Sequence, residues 1–214
     1  MTALAIEGAP AGLVWRPGFL SAEAQRDALG AIAEIAQAAP FVQQTAPWGK
    51  PLSVRMTSAG AVGWITDRAG YRYEPTHPET GLAWPAIPEA FLSIWRAVAP
   101  DAPREPDSCL VNWYVGSARM GLHRDDTEED LDCPVVSISL GDPAVFRIGG
   151  LARKDRTRSI TLGSGDVLAM GGPARLIYHG VDRIKGGGSS LLAENGFAEG
   201  GRINLTLRRA FRGS

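Results

Sequence analysis

The chain has 214 residues, enough for one domain of ordinary size and too few for two full enzymatic domains. Its 22 basic and 23 acidic residues nearly cancel, for a net charge of -1, so a polyanion would have to be held by a local patch and not by global charge. The 26 glycines and 15 prolines favour a loop-rich, strand-rich fold over a helical bundle.

The elements follow in chain order. The opening MTALAIEGAPAG lacks the basic stretch and long apolar region of a signal peptide. Ser21 is placed to cap a helix over 22–37, in which Leu29, Ile32, Ala33 and Ala36 share one face. Residues 41–85 are aromatic and Gly/Pro-rich, with hairpins expected around 52–57 and 71–73, and read as a cover over one mouth of a barrel. Pro88 opens a second helix over 88–99, with Phe91, Ile94, Trp95 and Val98 on its buried face. The pattern then changes to short alternating runs, read as strands at 109–115, 135–140, 144–148, 158–162, 166–170, 174–179 and 202–211. Short strands without intervening helices predict a mainly β (α+β) fold, an antiparallel sandwich or jelly roll with its core over about 107–214, within a single domain 1–214. The Gly/Ser-rich stretch 184–201 reads as a mobile flap or an insertion without a role. The acidic crowd at 125–132 and the basic one at 153–158 read as solvated loops. No run of about 18 apolar residues marks a membrane span. Two cysteines, Cys109 and Cys133, make no disulfide framework, so the cytoplasm is the expected location.

Three histidines are present, His77, His123 and His179, and no C-x-x-C or H-x-x-x-H spacing supports a zinc finger. His123 and Asp125 stand two apart, so in extended backbone both side chains face the same way. His179 closes a predicted strand that a rolled barrel can return beside them. Two imidazoles and one carboxylate with open positions form the facial triad of non-haem Fe(II) oxygenases. Each residue also has an ordinary reading: a loop histidine among acids for His123, a hydrogen-bonded strand-end histidine for His179. In the last strand Arg202, Asn204, Thr206 and Arg208 alternate with Ile203, Leu205 and Leu207. A solvent face accounts for the polar set, and so does a buried anion site gripped by guanidinium forks. Asn112 and Tyr114 share one face of 109–115 in the same way.

Together these pieces resemble the AlkB family of Fe(II)/2-oxoglutarate dioxygenases. The stretches that carry the likeness are NWY (112–114), HRD (123–125), PVVSISLG (134–141), FRIGG (146–150), GDV (165–167), YHG (178–180) and RINLTLR (202–208). GWITDRAGYRY (63–73) and WPAIP (84–88) add to them. The resemblance implies a double-stranded β-helix with a nucleotide-recognition lid over about 41–85. It implies Fe(II) held by His123, Asp125 and His179, with 2-oxoglutarate and O2 as co-substrates. Arg202, helped by Tyr114, would pair with the distal carboxylate of 2-oxoglutarate, and Arg208, Asn204 and Asn112 would hold its keto-acid end. Trp64 would stack on a flipped base, with Met56, Tyr71 and Arg153 around it. Thr127 stands where bacterial members carry an acidic residue that reads the exocyclic amine of the lesion. Either a neighbouring carboxylate takes that part or the base preference differs. The implied activity is oxidative demethylation of 1-methyladenine and 3-methylcytosine type bases in single-stranded or flipped-out DNA, with RNA as a further substrate, releasing formaldehyde and succinate. The protein is expected to act as a monomer without an obligate protein partner. The rival readings are the same chemistry on RNA, a protein or a small molecule, and a non-catalytic metal-binding jelly roll.

Overall fold

The computed structural model describes Leu4, Ile6 and residues 8–213, so most of the opening segment read for a signal peptide lies outside the described residues. Twelve strands and three α-helices follow in the order β1 (Leu13–Arg16), α1 (Ala22–Ala38), β2 (Arg55–Gly60), β3 (Gly63–Asp67), β4 (Gly70–Glu74), α2 (Glu89–Val98), β5 (Ser108–Tyr114), β6 (Met120–His123), β7 (Val135–Gly141), β8 (Ala144–Ile148), β9 (Arg158–Leu162), β10 (Val167–Met170), β11 (His179–Ile184), α3 (Leu191–Glu194) and β12 (Arg202–Arg208) among the described residues. A six-stranded antiparallel sheet runs β1-β10-β7-β12-β5-β2. A four-stranded sheet, β6-β11-β8-β9, forms the second layer of the jelly roll, and β3-β4 is a separate hairpin.

The period-two pattern of the large sheet divides two apolar layers. Cys109, Val111, Val136, Ile138, Leu140, Val167, Ile203, Leu205 and Leu207 point to the outer face and meet Leu29 and Ile32 of α1 and Phe91 and Trp95 of α2. The opposite face contributes Met56, Leu110, Tyr114, Val135 and Leu168 to a second layer with Phe146, Ile148, Leu162 and Val181 of the smaller sheet. Both helices form where expected. The Ser21 hydroxyl accepts the Ala24 N–H at 3.1 Å at the start of α1, and the buried stripe is Ala28, Leu29, Ile32 and Ile35. Ala33 and Ala36 lie beside that stripe, only partly buried.

Two expectations are corrected. Residues 174–179 are not a strand: Gly171-Gly172-Pro173 starts a 3-10 turn over Gly172–Ala174, the chain stays irregular to Tyr178, and His179 begins β11 instead of ending a strand. Pro173 fixes the turn, and the buried Arg175 guanidinium is drawn to acceptors that a flat strand would not reach. The hairpin expected around 52–57 forms with the residues before it: Val42 and Met56 exchange backbone bonds of 2.8 Å and Thr45 bridges Pro51, while β2 also joins the large sheet beside β5, with Met56 opposite Asn112. The 184–201 segment is packed, with Leu192 and Phe197 buried in the helix-backed layer. The hairpin around 71–73 forms as β4 paired to β3.

Candidate active site

Register brings the polar residues of the large sheet to the space between the layers. On the inner face Arg202 lies opposite Tyr114, Asn204 opposite Asn112, and Met56 opposite Asn112 on its other side. From the smaller sheet, His179 at the start of β11 pairs with His123 at the end of β6. Asp125 follows two residues later and is buried.

His123, Asp125 and His179 converge, with one ligand atom from each lying within 4.8 Å of the others. His123 Nε2 is 3.8 Å from Asp125 Oδ1 and His179 Nε2 is 3.6 Å from Oδ2. The Nδ1 atoms face backbone carbonyls, Gly121 O at 2.9 Å for His123 and Ile177 O at 3.1 Å for His179. A carbonyl only accepts, so each Nδ1 carries the proton and each Nε2 keeps its lone pair for the centre. Asp125 Oδ2 is buried and has no hydrogen-bond partner. An orphaned carboxylate oxygen between two ring lone pairs fits a divalent cation of the kind that imidazole and carboxylate bind. Burial alone would raise the Asp125 pKa, but Arg208, His179, His123 and Arg175 outweigh it and hold the carboxyl well below the usual range. Burial and the neighbouring His123 ring push His179 down to about 4, so its ring is neutral at pH 7.

Two buried arginines of β12 stand in the interior, and Arg208 meets the triad directly. Arg208 Nη2 donates to Asp125 Oδ1 at 2.8 Å, while Nη1 reaches the Tyr73 hydroxyl at 3.3 Å and Glu128 Oε1 at 3.4 Å. Burial would lower the Arg208 pKa, yet Asp125, Tyr73 and Glu128 raise it overall, so it stays charged. Arg202 differs. It is 1% exposed, donates to Ser139 Oγ at 2.6 Å and to Asp142 O at 3.4 Å, and its Nε is unpartnered. Among the described residues no carboxylate makes a salt bridge with it, and burial pulls its pKa down to about 10. A buried guanidinium without a counter-ion fits a carboxylate brought by a ligand. Tyr114 lies close by, its hydroxyl pushed up to about 12 by burial against the pull of Arg202. Asn112 Oδ1 is a further buried unpartnered atom. Asn204 donates to Ser137 Oγ at 2.7 Å and accepts from Thr206.

The remaining expected residues come from β2, the β3–β4 hairpin and the loops after β6 and β8. Met56 is buried on β2. Trp64 and Tyr71 stack on each other across the hairpin, centroids 5.5 Å apart and planes 19° apart, with Tyr71 largely exposed. Arg153 sits on an exposed loop, donates to Leu122 O at 2.8 Å beside His123, and faces the Tyr178 ring together with Arg124. Thr127 is exposed. Its neighbours are already engaged: Asp126 pairs with Arg124 at 2.6 Å, and Glu128 is buried between Arg175, Arg208 and the Tyr73 hydroxyl.

That last network was not foreseen. Glu128 and Asp130 fall in the acidic crowd expected to be solvated, yet both are buried, Glu128 against two arginines and Asp130 against Arg104 at 2.5 Å. Arg175 Nη1 donates to the Asp125 carbonyl at 2.6 Å and Nε to Cys133 O at 2.9 Å, bracing the backbone of the acidic ligand. A matching charge for Glu128 was present in the sequence, but at a separation that only the fold closes. The basic crowd at 153–158 is mostly exposed, as expected.

Comparison with known proteins places this geometry in a family. The model of the 2OG-Fe(II) oxygenase superfamily matches residues 12–208. The chain is 56% identical over 198 residues to the alpha-ketoglutarate-dependent dioxygenase AlkB homolog of Caulobacter vibrioides, covering 92% of this chain and 86% of that protein. It is 34% identical over 161 residues to the DNA N(6)-methyladenine demethylase ALKBH1C of Arabidopsis thaliana, covering 64% of this chain and 35% of that one. The solved structure of OsALKBH1 superposes with a TM-score of 0.83 at 32% identity, covering 97% of this chain and 100% of that one. With an unpartnered carboxylate oxygen clustered with two imidazoles, a buried arginine that no carboxylate neutralises, and these matches over most of its length, the chain belongs to the AlkB family of 2OG-Fe(II) oxygenases.

Proposed function

We propose that the protein oxidatively demethylates N-alkylated nucleobases of the 1-methyladenine and 3-methylcytosine type in DNA, with RNA as a second substrate, and couples this to decarboxylation of 2-oxoglutarate. The observation that carries the reading is the joint presence, in the interior between the two sheets, of the His123–Asp125–His179 cluster and the uncompensated Arg202. His123, Asp125 and His179 would hold ferrous iron, which with 2-oxoglutarate and O2 supplies the oxidation of the N-methyl carbon. Arg202 and Tyr114 bind the distal carboxylate. Arg208, Asn204 and Asn112 orient the keto-acid end, and the Asp125 contact places Arg208 beside the metal site. Asp125 ligates and takes no proton.

A base within a duplex is out of reach of a site between two sheets, so the target must leave its stack. The β3–β4 hairpin, with residues 41–85 as the lid, offers the stacked Trp64–Tyr71 pair as a platform, and Met56 lines the pocket. Arg153 over the Tyr178 ring, with the exposed basic residues of 154–158, supplies local positive charge for the backbone phosphates. Thr127 cannot accept a hydrogen bond as a carboxylate does, and Glu128 is committed elsewhere, so reading of the exocyclic amine is weaker than in members with an acid there. No helix among the described residues is long and apolar enough to cross a membrane. The working form is a cytoplasmic monomer, consistent with free thiols at Cys109 and Cys133.

The test is turnover. Purified protein with Fe(II), ascorbate and 2-oxoglutarate should convert a 3-methylcytosine oligonucleotide to the unmodified base with equal amounts of formaldehyde and succinate. Iron-loaded protein that releases no formaldehyde from methylated DNA or RNA overturns the proposal.

A further inference from the structure

The 184–201 segment is fastened close to Arg202 at both of its ends. At its start, the backbone N–H groups of Gly187, Gly188 and Ser189 converge on the Asp142 carboxylate at 3.2, 2.9 and 2.9 Å. Successive amides around one anion form a nest, in which the buried charge of Asp142 is fully engaged. At the other end, Asp142 N–H donates to Gly201 O at 2.8 Å. The Asp142 carbonyl accepts from Arg202 Nη1 at 3.4 Å. Gly201 has φ +84° and no room for a side chain, since a Cβ would lie 2.2 Å from Tyr114 O. Between the ends, Leu192 and Phe197 pack into the helix-backed layer, Trp113 Nε1 donates to Gly200 O at 3.0 Å, and Arg55 grips Glu199 through two bonds of 2.7 Å.

We infer that Asp142 is a positioning residue: it clasps the 184–201 segment and thereby fixes Arg202 for the distal carboxylate of 2-oxoglutarate. The inference rests on the assignment of Arg202 proposed above. Arginine has a long, freely rotating stem, and a guanidinium already held by neighbours loses less freedom when it binds. The main-chain carbonyl of Asp142 is one of the two acceptors that hold Arg202, and the clasp made by its carboxylate fixes that carbonyl and the segment that leads into Arg202. The clasp follows the far end of β11 from His179, and His123 and Asp125 lie at and after the end of β6, so no ligand of the triad shares its hydrogen bonds. Loss of the clasp therefore affects the distal carboxylate selectively.

Isothermal titration of the full-length protein loaded with Mn(II) tests this. The two probes are 2-oxoglutarate and oxalate, which has a chelating end and no distal carboxylate. Asp142→Ala should weaken 2-oxoglutarate binding about tenfold, the cost of immobilising one loosened arginine side chain on binding. Asp142→Asn, which keeps one acceptor oxygen, should fall between it and the parent. Both variants should keep the parent's affinity for Mn(II) and oxalate, and should raise KM for 2-oxoglutarate at unchanged kcat. Should the alanine variant fail to fold, the asparagine variant decides. Unchanged 2-oxoglutarate affinity in a folded variant overturns the inference, and so does a parallel loss of oxalate binding. A parent protein that binds oxalate but gains nothing from the distal carboxylate overturns the Arg202 assignment itself, a result separate from failure of the variants.

Discussion

Glu128 gives the sharpest stability test, because the surface reading and the buried reading of the same residue differ widely. Its side chain is fully buried and bridges Arg175 at 3.1 Å and Arg208 at 3.4 Å, while also accepting from Tyr73. Removing one partner of a buried ion pair costs about 3–5 kcal/mol, since the other charge is left without compensation. Here the loss is partly cushioned. Arg208 keeps Asp125 at 2.8 Å, and Arg175 keeps the carbonyls of Cys133 and Asp125. Glu128→Gln should therefore cost about 3 kcal/mol, the low end of that range. At about 2–4 °C per kcal/mol for a chain of this size, the melting temperature should fall by about 6–12 °C. Glu129→Gln, at the exposed next position, is the control and should stay within about 0.5 kcal/mol. Thermal unfolding followed by circular dichroism, with urea titration for the free energy, reads both. A drop for Glu128→Gln no larger than that for Glu129→Gln would refute the bridging role.

Trp64→Ala should weaken binding of a methylated oligonucleotide by the about 1–3 kcal/mol that one stacked base contributes, and leave 2-oxoglutarate affinity unchanged; equal losses in the two titrations remove the stacking role. Asp125→Asn should abolish turnover and weaken Mn(II) binding, while its amide oxygen still accepts from Arg208 and keeps the protein folded; a parental rate would withdraw the ligand assignment. Asp130 is held below the ordinary carboxylate range chiefly by its hydrogen bond from Arg104. Its stabilising contribution is complete above the unfolded value of about 4 and is lost as pH falls through the lowered folded value. Asp130→Asn should therefore flatten the dependence of stability on pH in acid, and an unchanged slope between neutral and acid unfolding curves would count against the pair.

The parts of the site that were legible in the sequence are those set by local geometry. Alternation in 202–208 separates Arg202, Asn204, Thr206 and Arg208 from Ile203, Leu205 and Leu207 whatever the strand pairs with, and the two sets do lie on opposite faces. The spacing of His123 and Asp125 is local in the same sense. Residues whose environment depends on distant partners were misread. Glu128 resembles its exposed neighbours until Arg175 and Arg208 arrive from two other parts of the chain. The 184–201 segment has a loop's composition, and only the amides of 187–189 meeting Asp142 reveal that it is fastened. Residues 174–179 carry strand-forming side chains, but the Gly-Gly-Pro before them and the buried Arg175 impose a turn instead.

The burial of β12 limits how this scaffold can vary. Its seven positions offer no fully exposed site: alternate residues sink into the helix-backed layer or the interior, and only Asn204 and none of the others is even partly open. Such a strand has no silent position at which drift could accumulate, so a change in what the enzyme accepts must be introduced elsewhere. The short hairpin and the loop after β8 are the parts free to diversify, while the strand that carries both arginines stays fixed.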